Sequence, residues 1–161
     1  MICGFTGHRP EKLPWGSDET DERCAALKQL LELRIRHHAA GGVNTFLCGM
    51  ARGCDLYFAE AVLKLKGEGM NLRLEGMLPC DGQADRWPEE DRIRYENLLR
   101  QCDGVYLQQQ TYSDGCMLRR NRTMVDRCDC LISVWDGSKG GTAATIRYAK
   151  ARGIPIDSLW L

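Results

Sequence analysis

Apolar residues recur along the chain in two alternating rhythms. Met1–Phe5 is a short apolar run, and Thr45–Cys48, Leu72–Leu78, Val105–Gln108 and Cys130–Trp135 repeat it. Runs of this length, bounded by Gly, Pro or Asp, read as buried strands. Between them the apolar positions fall at helical spacing. Cys24, Leu27, Leu30, Leu31 and Ile35 stripe a helix over Asp21–His38, which His37, His38 and Gly41-Gly42 bring to an end. Leu56, Ala59, Val62 and Leu63 stripe a second helix over Gly53–Lys66. Pro88 followed by Glu89, Glu90 and Asp91 is a start signal for a third, expected over Asp85–Gln101. Met117–Arg127 and Thr142–Arg152 complete the helices. Ile154-Pro155-Ile156 reads as a last short strand at a sheet edge, because proline donates no ladder hydrogen bond. Leu159–Leu161 is expected to dock apolar side chains or to fray.

Strands separated by amphipathic helices imply right-handed βαβ units. The fold class is therefore α/β, with a mainly parallel sheet flanked by helices in three layers. At 161 residues, with no linker, repeat or low-complexity segment, the chain reads as one domain, 1–161. The 22 basic and 22 acidic side chains balance, which argues against a protein that coats nucleic acid or a membrane surface. No apolar run reaches the roughly 20 residues that span a bilayer. The first residues lack the charged and apolar regions of a signal peptide, so a cytoplasmic location is expected.

In parallel sheets, ligands bind beyond the carboxyl ends of the strands. Three polar turns fall there. In Cys48–Asp55, Gly49 and Gly53 permit close backbone approach, Ala51 keeps the turn small, and Arg52 projects as a phosphate clamp or a solvated loop residue. Asp55 lies in the first helical turn, as a capping acid or a ribose ligand. In Trp135–Thr142, Asp136 and Gly137 end the strand, while Gly140, Gly141 and Thr142 open a helix whose free N–H groups suit phosphate. In Thr6-Gly7-His8-Arg9-Pro10, His8 suits phosphate binding or proton transfer, or simply bonds backbone.

Arg119-Arg120-Asn121-Arg122 places residues 119 and 122 on one helical face, toward a phosphorylated ligand or toward solvent and Asp126. Trp87 and Trp135 suit a base-stacking or a core role. None of these turns is a Walker A loop or a G-x-G-x-x-G fingerprint, so no cofactor is expected. The nine cysteines form no C-x-x-C pair and sit largely in apolar contexts, so neither a disulfide framework nor a metal site is expected.

Taken in order, Thr6–Pro10, Gly49–Gly53 with Asp55, Arg120-Asn121, Met124–Asp126, and Trp135–Gly137 with Gly140–Thr142 resemble the YpsA-like family of the SLOG superfamily over nearly the whole chain. The resemblance implies a Rossmann-like fold and a nucleotide-derived ligand such as ADP-ribose. It implies a pocket of Thr6, Gly7, Arg9, Gly49, Arg52, Gly53, Asp55, Gly140, Gly141 and Thr142. It is also compatible with a homodimer and with a protein partner in a regulatory pathway. One departure matters. The LOG phosphoribohydrolases carry P-G-G-x-G-T-x-x-E, and the position of that Glu is here Thr145, which cannot act as a carboxylate.

Three readings follow. The first is binding and sensing of a nucleotide-like small molecule, more in keeping with a non-enzymatic role. The second is cleavage or transfer at an N-glycosidic or phosphoribosyl centre, with His8, Asp55 and Asp136 as catalytic candidates. The third, by analogy with DprA, is binding of single-stranded nucleic acid, which the zero net charge disfavours.

Overall fold

The computed structural model describes residues 1–161. Six strands form one sheet: β1 (Ile2–Gly7), β2 (Thr45–Cys48), β3 (Arg73–Leu78), β4 (Gly104–Leu107), β5 (Cys130–Trp135) and β6 (Ile156–Trp160). Five α-helices connect them: α1 (Glu22–Ala40), α2 (Cys54–Gly67), α3 (Glu89–Gln101), α4 (Cys116–Asp126) and α5 (Gly141–Ala151). Every strand pair is parallel, in the order β4-β3-β2-β1-β5-β6. The chain therefore winds outward from β1 to one edge, returns through α4, and winds outward again. The crevice between the carboxyl ends of β1 and β5, where the direction reverses, is the switch point of such a sheet.

The strands are buried on both faces, and successive residues serve different layers. Phe46 joins the larger apolar cluster with Phe5, Phe58 and Leu74, beneath α1, α2 and α3. Leu47 joins the smaller one with Met77, Met124, Leu131 and Ala149, beneath α4 and α5. This is the three-layer arrangement expected from the alternating pattern. α2 lies centrally on its face, against α1, α3 and the first three strands. Leu56, Tyr57, Phe58, Ala59 and Ala61 are all buried, so that helix carries a broad apolar face rather than a stripe.

Some boundaries differ from the sequence expectation. Asp21 caps α1, its carboxylate accepting from the Arg23 backbone N–H at 2.8 Å, and Leu30 turns outward while Cys24, Leu27, Leu31 and Ile35 are buried. α3 starts at Glu89 with Pro88 at its N-cap, so Asp85 belongs to the preceding turns. The last strand is Ile156–Trp160, not Ile154–Ile156. Pro155 precedes it, its carbonyl accepting from the Leu131 N–H, and Trp160 pairs with Trp135 at the edge. No helix is long and apolar enough to cross a membrane.

Candidate functional site

A cleft of about 460 Å³ opens at the switch point. Its walls are the end of β1 with the loop that follows, the turn before α2, the first turns of α4, and the N-terminus of α5. It gathers Thr6, Gly7, His8, Arg9, Ala51, Asp55, Arg120, Asn121, Gly140, Gly141 and Thr142 from the sequence-derived candidates. Gly49, Arg52, Gly53 and Asp136 do not line it.

The turn from Gly49 to Asp55 is consumed by internal bonds. The Asp55 carboxylate accepts from the Ala51 N–H at 3.1 Å. The Cys54 N–H, at the start of α2, donates to the His8 carbonyl at 3.1 Å. Arg120 Nη1 donates to the Gly49 carbonyl at 2.6 Å and the Met77 carbonyl at 2.7 Å. Met50 sits in the left-handed region at φ 59°, held by the Gln83 amide, which donates to the Gly49 and Met50 carbonyls. Gly53 has φ 85°, and a side chain there would also lie 2.8 Å from the His8 carbonyl oxygen. These contacts make the turn a buttress that fixes Asp55, Arg120 and His8.

The N-terminus of α5 is different. Gly140 is its N-cap, and no side chain caps the helix. The first N–H groups of a helix have no intrahelical acceptor and carry its positive end. Lys12 stands over them: its Nζ donates to Ser138 Oγ at 3.1 Å and to the Lys139 carbonyl, and a Cβ on Gly140 would lie 2.7 Å from it. Across the cleft, Arg9 rests against the Met117 sulfur. Neither Arg9 nor Lys12 has a carboxylate within ion-pair distance, whereas Arg52 is held by Asp91 at 2.8 Å and Glu11 at 3.4 Å. The open turn is therefore the one at Gly140, with Lys12 and Arg9 beside it and without carboxylate partners.

His8, Asp55 and Arg120 are the buried titratable groups among the lining residues. Burial pushes the Asp55 carboxyl up to about 6, against the opposing pull of Arg120 and the Ala51 N–H. Burial likewise lowers the Arg120 guanidinium from its ordinary value. His8 Nε2 lies 2.7 Å from Asp136 Oδ1, the geometry of an N–H donated to a carboxylate. Asp136 is held well below the usual carboxylate range, first by Ser138 and then by His8. Asn121 donates to Thr145 Oγ1 at 3.0 Å, and Thr145 donates to the Gly141 carbonyl at 2.9 Å. Thr145 is thus a buried hydroxyl bonded into the first turn of α5.

Several other candidates face elsewhere. Arg119 bonds Gln109 and Ser113, and Arg122 stacks over Tyr148, so the two do not form a cationic track into the cleft. Trp87 packs edge-on against Tyr95, and Trp135 pairs with Trp160. Lys12, Glu11, Met117 and Leu118 line the cleft without having been singled out in the sequence. Lys12 follows the Thr6–Pro10 turn closely enough to have been a candidate. Met117 and Leu118 enter only because the start of α4 comes against the loop after β1, where Met117 touches Arg9.

The YpsA model, described as the YspA SLOG family, matches residues 3–154. A UPF0398 protein of Bacillus anthracis is 26% identical over 156 residues, covering 94% of this chain and 84% of the relative. One from Bacillus velezensis is 26% identical, covering 98% and 90%. Among solved structures, DNA processing protein A from Helicobacter pylori, described with its single-stranded DNA binding mode, superposes with TM-score 0.67 at 19% identity. That match covers 100% of this chain and 66% of the neighbour, just under two thirds. DprA from Streptococcus pneumoniae gives 0.61 at 15% identity, covering 98% of this chain and 49% of that one. With a match over nearly its whole length and a fold shared with DprA, the chain belongs to the YpsA family of SLOG proteins.

Proposed function

We propose that this protein binds a phosphorylated nucleoside, an ADP-ribose-like diphosphate being the best fit, and acts as a sensor rather than a hydrolase. The carrying observation is the uncapped N-terminus of α5, with Lys12 and Arg9 unpaired beside it in one switch-point cleft. A diphosphate on the Gly140–Thr142 N–H groups would satisfy those donors and both cations. Asp55 and Asn121 then stand where ribose hydroxyls would lie. The sensing role rests on Thr145 and on Asp136. A hydroxyl bonded to the Gly141 carbonyl offers no carboxylate, and a strongly acidic Asp136 paired to His8 is a poor proton donor or acceptor at neutral pH.

The test is a thermal-shift screen of the purified chain against ADP-ribose, NAD, AMP and cyclic nucleotides. A ligand at 100 times its dissociation constant adds about 2.7 kcal/mol. For a domain of this size that is on the order of 5–10 °C. A shift reduced to about half in Lys12→Ala at the same ligand concentration, with no base or ribose phosphate released from the same sample, supports sensing. A flat panel removes the reading, and released base makes the protein an enzyme.

The fold shared with DprA supports a second reading, single-stranded DNA, and weakens the expectation that nucleic acid is not a partner. The same cradle would then hold one backbone phosphate. Oligonucleotide retention falling steeply with salt, with no nucleotide shift, would favour it.

A further inference from the structure

At the opposite end of the sheet from the cleft, three side chains from three elements converge. Cys3 on β1 and Cys130 on β5 are register partners. His38 comes from the last turn of α1. The two sulfurs and one histidine nitrogen all lie within 4.8 Å of one another, with Cys130 Sγ 3.7 Å from His38 Nδ1. The other ring nitrogen of His38, Nε2, lies 3.0 Å from Asp157 Oδ2 on β6. An Nε2–H donated to that carboxylate leaves the Nδ1 lone pair facing the two thiols.

The geometry points to a site for a thiophilic divalent metal ion, zinc by preference, held by Cys3 Sγ, Cys130 Sγ and His38 Nδ1. The distances fit. Zinc–sulfur and zinc–nitrogen bonds of about 2.3 and 2.0–2.1 Å at a tetrahedral angle separate S from N by roughly 3.6 Å and S from S by roughly 3.8 Å. The carboxylate behind the histidine is the orienting partner that metal-bound imidazoles commonly have. Cys3 is fully buried, while Cys130 and His38 are partly exposed, so the ligands sit at a surface an ion can reach. Three protein ligands leave a fourth position for water. Binding one dication releases the protons of both thiols. The ligands lie 35 and 92 residues apart, so no local cysteine–histidine spacing announces the site.

The experiment is titration of the reduced full chain, kept reduced with a phosphine, with cobalt(II). A thiolate-to-cobalt absorption that saturates at one equivalent and is bleached by zinc is the expected result. Cys130→Ser and His38→Gln should abolish it. Asp157→Asn should weaken zinc about 10–100-fold, measured against a chromophoric chelator. Cys102→Ser, at the end of α3, should change nothing. Absence of the band in folded, reduced wild-type chain overturns the site, whatever the variants do. A band undiminished in both Cys130→Ser and His38→Gln overturns it equally.

Discussion

The Arg120 guanidinium and the Asp55 carboxylate both crowd the space above the Cα of Gly49 without pairing directly. A Cβ at that position would lie 2.8 Å from Arg120 Nη1 and 2.9 Å from Asp55 Oδ2. The missing side chain is what lets a buried cation reach two strand-end carbonyls while facing a buried acid.

Removing Arg120 should therefore cost more than an ordinary surface charge. Arg120→Leu leaves the Gly49 and Met77 carbonyls without their charged donor and Asp55 without its neighbouring cation. The expected loss is about 3 kcal/mol in urea unfolding. Gly49→Ala should be of comparable severity, because the atoms it meets are held by hydrogen bonds.

Asp55 should make the protein pH-sensitive in a defined direction. Its carboxyl titrates near 6 in the fold and near its ordinary value of 3.8 when unfolded. Between those values the native state holds a proton that the unfolded chain has released. Stability should thus fall as pH rises from about 4 to about 6, by roughly 2–3 kcal/mol for this group. Asp55→Asn should flatten that part of the profile. An anion in the cleft favours the protonated acid, so ADP-ribose should bind more tightly as pH drops through about 6, and Asp55→Asn should remove the dependence. Denaturant midpoints and calorimetric titration across this range check both.

The cleft cations and the neighbouring ion pair should separate cleanly. Arg9→Ala and Lys12→Ala should each weaken a diphosphate ligand about 10-fold, the equivalent of about 1.4 kcal/mol. Arg52→Ala should leave affinity within about 2-fold and cost at most about 1 kcal/mol of stability, as for a partly exposed ion pair. Equal losses of affinity in all three variants would move the ligand to the Gly49 turn.

The alternating layers were readable because each strand is a short apolar run and each helix repeats near 3.6 residues. Strand order was not, because nothing local says that β5 returns to lie against β1. The same limit governed the site. Thr6 and Gly7 close β1, and Gly140 and Gly141 open α5, so all four are legible in the sequence as the ends of elements. Arg52 looked like a clamp from its neighbours, yet its partner Asp91 lies 39 residues away on α3. The boundary errors have local causes. Pro88 forms the N-cap of α3, so the residues before it belong to turns. Pro155 precedes β6, and its neighbours drew the expected strand short of Trp160.

The placement of α2 has a kinetic consequence. Wrapped by two helices and three strands, its amides should exchange with solvent only when the whole domain unfolds. The Gly49 turn is anchored to that helix, so one bank of the cleft is as durable as the fold itself. The opposite bank, Gly140–Thr142, hangs on α5 above the smaller apolar cluster. Deuterium uptake should begin there and slow when the cleft is filled, so that breathing in this domain is one-sided.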